Sequence, residues 1–408
     1  MKVSVKKGPL SKLRILEFGH FIAAPFCTRI LADLGAEIIK VESPGKGDPV
    51  RTWGEMSGGK SLWWSVHGRN KQSITLNLKH PKGLEIAKQL IKECDAIVEN
   101  FRPGQLERWG LGEETIEQLN PNCVLVHISG YGQTGPDKDR AAFGVIGEAI
   151  GGLRHLTGFP EGMTSLPPAR TGVSLGDMVA GLYAAIGLLS GLYERHTKST
   201  SKARTVDVAL TEAVFSLLEG CLPEYGKLGQ VRQPTGSTLP TNAPSNAYPT
   251  SDGRWIIIAA NSDALFNKLM SVIERPDLAK DVRFVDNPGR VQHAAELDAA
   301  IAHWSTLIDA EPADRILADA DIPATRIYTI EDCANDAQFA ARGMIRTVMD
   351  KNFGEVLHPG IVPKMSGSDA DKISWAGPDV GAHTDQVLGD MIGLTDEDIK
   401  VLRREGAI

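Results

Sequence analysis

The sequence contains little cysteine and has no block of basic residues. Five cysteines occur in 408 residues, an odd number, and no two of them form a C-x-x-C pair. This pattern disfavours both a disulfide framework and a zinc site, so no metal is expected. The formal net charge is −7, and Lys and Arg are scattered along the chain. Nucleic acid is therefore not expected as a partner, because its binding needs concentrated positive charge.

Long hydrophobic runs are also missing. The first residues, MKVSVKKGPLSK, are charged and lack the apolar core of a signal peptide. The longest uncharged run extends from Met178 to Tyr193, which is shorter than the ~20 apolar residues that a membrane span needs. We interpret this run as a buried helix of a cytoplasmic protein without membrane association.

Short apolar runs alternate with helix-length amphipathic segments in the first part of the chain. The runs are LRILEFG (13–19), AEIIKVES (36–43), DAIVENF (95–101) and CVLVHISG (123–130). This alternation is typical of βαβ units on a parallel sheet. In such sheets ligands lie beyond the carboxyl ends of the strands. The loops GHFIAAP, ESPGKGD, ENFRPG and SGYGQTGP are therefore the expected ligand-facing loops.

The composition changes after residue 200. Segment 229–255 is rich in Pro, Thr, Ser, Asn and Gly, and WIIIAA then predicts a strand, followed by helical segments to about residue 322. A chain of this length also favours two domains. We expect a smaller inserted domain, preceded by a linker.

Two sequence motifs match known sites without the context those sites need. Gly172, Ser174 and Gly176 form G-x-S-x-G, but the preceding EGMTSLPPART contains two prolines and no strand pattern for a nucleophile elbow. GYGQTG (130–135) forms G-x-G-x-x-G, but it continues into the charged PDKDRAAF instead of a helix that could bind a dinucleotide. We interpret the first motif as coincidence and the second as a charged turn.

Asp177 opens the apolar run directly after Gly176. The residues alone favour a helix N-cap. The alternative is a covalent nucleophile, since small neighbours would admit a substrate and the amides of a helix start would keep the carboxylate ionised. For His20, in the first ligand-facing loop, a structural hydrogen-bonding role is favoured over catalysis. Arg170 and Arg108 could each bind a carboxylate or phosphate through a planar guanidinium.

Several segments, taken in order, resemble the class III CoA-transferases, the CaiB/BaiF or formyl-CoA transferase-like family. They are LRILEFGHFIAAPFCTRILADLGAEIIKVESPGKGDPVR, GRNKQSITLNLKHPKG, IVENFRPGQLERWGLG, ISGYGQTGP, TGVSLGDMVAGLYA and GAHTDQVLGDMIGLT. The resemblance runs nearly end to end and is loosest in the middle. It implies an α/β fold with a Rossmann-like large domain built from both chain ends, a small middle α+β domain, and two chains interlocked like links.

The domain limits expected from this resemblance are 1–202 for the first part of the large domain, 203–240 for a linker and 241–325 for the small domain. Residues 326–408 would form a second linker and the rest of the large domain.

The resemblance also implies a reaction. Asp177 would attack an acyl-CoA thioester to give an acyl-aspartyl anhydride, from which the CoA thiolate forms an aspartyl-CoA thioester. An incoming acid would then reverse the exchange. An anhydride preserves the energy of the thioester, whereas a serine ester would lose it. CoA is thus a substrate, and no permanently bound cofactor is implied. The residues expected along CoA are Phe21, Leu76, Asn100, Phe101 and Arg108, with Arg140 near its phosphates or the site entrance.

Departures from the family pattern narrow the function. The mobile glycine-rich loop of formyl-CoA transferases is missing here. The matching stretch reads IIIAANSDALF, around Ala259, Ala260 and Asn261. Ile22 replaces a glutamine, and Phe143 and Gly144 replace a Tyr-acid pair. These changes disfavour the oxalate enzyme.

The α-methylacyl-CoA racemases share the aspartate but use a histidine where Phe143 stands, and Phe143 cannot carry a proton. Glu148 could in principle be a substitute base. We therefore expect a transferase that moves CoA from a donor such as succinyl-CoA to a small carboxylic or dicarboxylic acid. His20, Arg170 and Glu148 are candidates for substrate binding. The alternatives are a racemase and a CoA-ester-binding protein without activity, and the retained Gly176-Asp177 pair speaks against the latter.

Overall fold

The computed structural model describes residues 8–198, 204–366 and 372–408. These residues divide into two compact units. The first consists of residues up to Arg154, Arg170–Pro223 and Ala340–Ile408, and the second consists of His155–Ala169 and Glu224–Phe339. The domain limit expected between residues 202 and 203 lies outside the described residues.

The strands follow one another along the chain as β1 (Arg14–Glu17), β2 (Glu37–Glu42), β3 (Met56–Ser57), β4 (Lys60–Ser61), β5 (Lys71–Thr75), β6 (Ala96–Glu99), β7 (Val124–Ser129), β8 (Arg204–Ala209), β9 (Ser245–Pro249), β10 (Trp255–Ala259), β11 (Ala324–Arg326), β12 (Ile345–Asp350) and β13 (Gly354–Pro359).

The helices of the first 228 residues are α1 (Ala23–Asp33), α2 (Leu62–His67), α3 (Pro81–Lys92), α4 (Gln105–Arg108), α5 (Glu113–Leu119), α6 (Gly144–Ile150), α7 (Leu153–Leu156), α8 (Leu175–Lys198), α9 (Leu210–Phe215) and α10 (Cys221–Leu228). Those that follow are α11 (Asp263–Val272), α12 (Pro276–Lys280), α13 (Asn287–Gln292), α14 (Ala294–Ser305), α15 (Ala310–Asp319), α16 (Ile330–Asn335), α17 (Ala337–Ala341), α18 (Thr384–Ile392) and α19 (Asp396–Arg404).

A parallel sheet forms the centre of the first unit. Its strand order is β5-β2-β1-β6-β7-β8, and each neighbouring pair is parallel. When these six strands are renumbered 1 to 6 along the chain, their order in the sheet is 3-2-1-4-5-6, that of a doubly wound fold. The four apolar runs became β1, β2, β6 and β7, which confirms the predicted parallel α/β sheet.

Apolar residues cover both faces of this sheet. Neighbouring residues of a strand point to opposite faces, so Leu16 belongs to one core and Ile15 to the other. The core around Leu16 includes residues of α3, α5, α18 and α19, whereas the core around Ile15 includes residues of α1 and α8. Because α18 and α19 come from the end of the chain, both ends contribute to the first unit.

Helix α8 is longer and less buried than the sequence predicted. It packs closely on α1, since a Cβ at Gly181 would lie 2.8 Å from the Ala23 carbonyl oxygen. By length and composition alone, Leu175–Thr197 could cross a membrane, but half of its most apolar 18-residue stretch is buried within the fold. Leu182 and Ile186 are exposed on its other face. The expectation of a buried helix therefore holds for one face of α8 and was wrong for the other.

The second unit contains a three-stranded antiparallel sheet in the order β11-β10-β9. Ile256 and Ile258 of β10 face a core that is completed by helices between residues 263 and 319. This unit confirms the predicted WIIIAA strand and the helical segments that follow it.

Candidate active site

The sheet order creates a crevice between the loops after β1 and β6. The chain leaves these neighbouring strands in opposite directions, which is where doubly wound folds bind ligands. The first loop carries His20 and Phe21, and the second carries Asn100 and Phe101. Asn100 joins them, because its Oδ1 accepts from His20 N at 2.7 Å and its Nδ2 donates to His20 O at 2.8 Å.

A buried charge network fixes the loop after β1. Lys40 Nζ lies 2.7 Å from Asp48 Oδ2 and 3.0 Å from Glu17 Oε1, with all three side chains buried. Asp48 Oδ1 accepts from Phe21 N at 3.1 Å. Phe21 has φ 61°, a left-handed conformation that a bulky residue adopts only when its surroundings enforce it. Burial raises the pKa of Asp48, but the charge and hydrogen bond of Lys40, together with the Val50 amide, keep this pKa lowered.

Asp177 lines a cavity of about 200 Å³ at this crevice. Phe21, Asn100, Phe101 and Arg140, all expected near CoA, line the same cavity. The remaining lining residues are Ala23, Arg102, Pro103, Ile128, Ser129, Gly130, Ala141, Ala142, Phe143 and Leu210.

The environment of Asp177 opposes ionisation without preventing it. Asp177 is the third residue of α8, so the N-cap favoured by the residues alone was wrong. Burial and then the nearby charge of Glu148 raise its pKa to about 6. The Gly144 amide, which donates to the carboxylate, and the charge of Arg170 act in the opposite direction. At neutral pH Asp177 is therefore mainly a carboxylate, the form a nucleophile needs.

Two glycines allow α6 and α8 to meet at Asp177. A Cβ at Gly144 would lie 2.1 Å from Asp177 Oδ2, and a Cβ at Gly176 would lie 2.5 Å from the Gly144 carbonyl oxygen. Because Gly144 has no side chain, the Asp177 carboxylate can lie directly against the Gly144 backbone amide.

Glu148 lies behind Asp177. It is 2% exposed, and its Oε1 is 3.5 Å from Gly176 N, while Oε2 is 3.8 Å from Arg154 Nη2. Among the described residues around the cavity, Glu148 is absent from the lining.

A second cavity, of about 430 Å³, lies along the ends of β1 and β2. Phe101 lines both cavities, and His20 and Leu76 line the second. The His20 ring contacts Phe101 edge-on at 5.2 Å between centroids, and burial followed by the Lys40 charge lowers the pKa of His20. The structure therefore groups most of the residues expected to contact CoA.

Arg108 and Arg170 line neither cavity in the part of the chain that is described. Arg108 is exposed and donates to Gln105 Oε1 at 2.7 Å. Arg170 is exposed as well. Arg140 pairs with Asp137 at 3.0 Å and lies over the Tyr131 ring.

Sequence reasoning missed several residues that form or support the site. Arg102 and Ser129 line the cavity with Asp177. Glu99 Oε2 accepts from Phe101 N at 2.6 Å while Oε1 contacts His127 Nδ1, so this buried pair holds Phe101. The available signal was the position of Glu99, Arg102 and Ser129 at or just after the ends of β6 and β7, whereas His127 lies within β7 and gave no such signal.

Another cavity, of about 360 Å³, lies at the amino ends of β1 and β2 and includes Arg14 and Glu37. Ligands of doubly wound sheets bind at the other edge, which favours the Asp177 cavity as the active site. No three His, Cys, Asp or Glu side chains are grouped for a metal ion within the described ranges.

Comparison with known proteins identifies the family. The model of CoA-transferase family III matches residues 10–384. The chain is 44% identical to the succinyl-CoA–D-citramalate CoA-transferase of Chloroflexus aurantiacus, over 98% of each chain. It is 38% identical to the β subunit of the succinyl-CoA–L-malate CoA-transferase of that organism, again over 98% of each.

A solved structure agrees with these sequence matches. The chain superimposes on a CaiB/BaiF family protein from Brucella suis with a TM-score of 0.83 and 32% identity, covering 95% of this chain and 100% of the other. The chain therefore belongs to CoA-transferase family III, the CaiB/BaiF family, and is a class III CoA-transferase.

Proposed function

We propose that this enzyme moves CoA from succinyl-CoA to a small dicarboxylic acid through covalent intermediates on Asp177. The observation that carries the proposal is the Asp177 carboxylate, which lines a cavity at the carboxyl edge of the sheet and has a pKa of about 6. Relatives named for succinyl-CoA with citramalate or malate support a hydroxylated diacid of four or five carbons as the acceptor.

The proposed exchange has four balanced steps. Asp177 attacks the donor thioester, forming an anhydride as the C–S bond breaks, and the released thiolate attacks the Asp177 acyl carbon and expels the donor acid. The acceptor carboxylate then attacks the aspartyl-CoA thioester to give a second anhydride and free thiolate. Attack of this thiolate on the acceptor carbonyl forms the product and restores Asp177. Carboxylate chemistry suits this sequence because each intermediate remains an activated acyl group.

Positive charge near Asp177 supports a dicarboxylic acceptor. Arg102 and Arg140 both line the cavity, and guanidinium groups bind carboxylates through two parallel hydrogen bonds. Arg102 is the stronger candidate, because Arg140 already pairs with Asp137. Arg108 and Arg170, which the sequence suggested for this role, are not among the described residues that line the cavity.

The racemase alternative is disfavoured by the cavity wall. Two-base racemisation needs a second proton carrier next to the substrate. Phe143 stands in the lining beside Asp177, and the buried Glu148 does not line it in the described structure.

We further propose a cytoplasmic homodimer whose chains interlock, each with a large domain from both chain ends and a small middle domain. Exposed apolar residues on α8, including Leu182, Tyr183 and Ile186, support a partner surface in the first unit. An open groove of about 380 Å³ lies beside them along β8, the outer strand of the described sheet. Five free cysteines support a reducing compartment.

A panel assay tests the function. The enzyme is incubated with succinyl-CoA or acetyl-CoA and a series of mono- and dicarboxylic acids in deuterated water, and CoA esters are followed by mass spectrometry. Transfer to a C4 or C5 diacid without deuterium at the α-carbon supports the proposal. Deuterium uptake without transfer would favour α-proton abstraction, as in a racemase, and the absence of transfer to every diacid would contradict the proposal.

A further inference from the structure

The Ser129 hydroxyl is a buried polar group that the established activity does not explain. Ser129 is the last residue of β7, is 5% exposed and lines the cavity that contains Asp177. Across the described ranges, its Oγ has no hydrogen-bond partner. Buried hydroxyls are nearly always paired, and an unpaired one in a cavity calls for an explanation, such as a catalytic role or a bound water.

Several other polar groups around the cavity are already engaged. The Asn100 amide bonds the His20 backbone on both sides, and the Gly130 carbonyl accepts from Thr211 N at 3.2 Å. The Phe101 amide donates to Glu99. Ser129 differs because no hydrogen bond within the described ranges holds its hydroxyl in one rotamer, so rotation about χ1 toward a bound group breaks no hydrogen bond.

The substrates supply the complementary group. The reacting carboxylate, anhydride and thioester oxygens can only accept hydrogen bonds, and the Asp177 carboxylate is itself an acceptor. A hydroxyl donor in the same cavity therefore satisfies both the substrate and the unpaired Ser129.

We propose that Ser129 is a catalytic residue that donates a hydrogen bond to the acyl oxygen of the acid that gives up or receives CoA. This inference rests on the proposed function. One carboxylate oxygen of the acceptor becomes the bridging oxygen of the anhydride. The other remains the carbonyl oxygen in the anhydride and in the product thioester. When CoA thiolate attacks this carbonyl, negative charge develops on the carbonyl oxygen as the C–S bond forms. The bond between the carbonyl carbon and the bridging oxygen then breaks, and the bridging oxygen remains on Asp177. A hydroxyl that donates to this oxygen stabilises the transition state.

The test compares Ser129→Ala and Ser129→Thr with the wild-type enzyme and with Ser271→Ala, an exposed serine on α11. Loss of one such donor predicts a kcat about 100- to 1,000-fold lower for Ser129→Ala, with recovery of most activity when Thr restores the hydroxyl. The melting temperature of Ser129→Ala should not fall, because the substitution removes an unpaired polar group. Wild-type rates in Ser129→Ala, or a parallel loss of activity and melting temperature, would overturn the proposal.

A binding measurement separates this proposal from the proposed function. The probe is an unreactive ketone analogue of succinyl-CoA, with CH₂ in place of sulfur, titrated by calorimetry. Ser129→Ala should bind it about tenfold more weakly than wild type whether or not transfer occurs, and equal affinity contradicts the role of Ser129. If wild type binds the analogue with this difference but transfers no CoA, the proposed function fails and the hydroxyl contact stands.

Discussion

Asp177 must be ionised to attack a thioester, and its surroundings raise its pKa to about 6. The carboxylate fraction is then lost as pH falls through this value, so the transfer rate at limiting substrate should be about tenfold lower at pH 5 than at pH 7. Initial rates across this range measure the effect, and return of samples to pH 7 controls for irreversible unfolding. A flat profile would show that ionisation of Asp177 does not limit the reaction.

Gly144 permits the contact between its own amide and the Asp177 carboxylate. Gly144→Ala would place a Cβ 2.1 Å from Asp177 Oδ2, so we expect displacement of the carboxylate and a transfer rate at least about 100-fold lower. The matched control is Gly226→Ala in α10, where nothing lies within 4 Å of the added Cβ. The control should retain its activity and gain about 0.5–1 kcal/mol from the removal of a helical glycine. Equal activity of both variants would contradict the assigned role of Gly144.

Among larger elements, the loop after β1 depends on the Lys40 network. In the native protein Lys40 Nζ lies 2.7 Å from Asp48 Oδ2. Lys40→Met leaves this buried carboxylate without its cation. We expect a loss of about 3–5 kcal/mol in the free energy of unfolding and a higher KM for the CoA ester, because Asp48 holds Phe21. Denaturant unfolding and steady-state kinetics measure the two effects.

The control for this element is Lys268→Met. Lys268 pairs with Asp321 at 3.1 Å, but both side chains are exposed. Its loss should change the unfolding free energy by less than about 1 kcal/mol. Similar losses in the two variants would mean that burial does not set the importance of the Lys40 pair.

At the level of the assembled enzyme, the exposed face of α8 predicts the effect of charge on self-association. Ile186 is 59% exposed and borders the groove along β8. If the proposed dimer uses this face, Ile186→Asp should weaken or abolish it, because an aspartate buried in an apolar contact is strongly disfavoured. Sedimentation velocity measures the change, with Val282→Asp, an exposed site in the second unit, as the control. A dimer of unchanged affinity would place the interface elsewhere.

Apolar patterning was sufficient to predict the central strands but not the whole sheet. Residues 71–75, KQSIT, gave no strand signal because Lys71, Gln72 and Ser73 are polar, yet all are buried. Lys71 is accommodated there by Glu17, at 2.9 Å, a contact between residues 54 positions apart in the chain. Strand β8, RTVDVA, was missed because it has no continuous apolar run, since Thr205 and Asp207 are exposed at the edge of the sheet.

The candidate site was predictable in part for similar reasons. The apolar runs predicted which loops face a ligand, because parallel strands end at one edge of the sheet. The family resemblance then singled out Phe21, Asn100 and Phe101 within those loops, and all three line the cavity with Asp177. The unpaired state of the Ser129 hydroxyl depends on its neighbours in space, which a linear sequence does not specify. The pKa of Asp177 likewise depends on burial and on Glu148, 29 positions away in the chain.

Detection of CoA bound to Asp177 tests the central claim most directly. Wild-type enzyme and Asp177→Asn are incubated with succinyl-CoA, quenched in acid and digested, and the peptide that contains residue 177 is weighed by mass spectrometry. Asparagine can still accept the Gly144 hydrogen bond, so the variant should fold normally. We predict a CoA adduct on the wild-type peptide, and neither adduct nor transfer in Asp177→Asn. An Asp177→Asn enzyme that transfers CoA at the wild-type rate, or that carries the same adduct, would contradict the account.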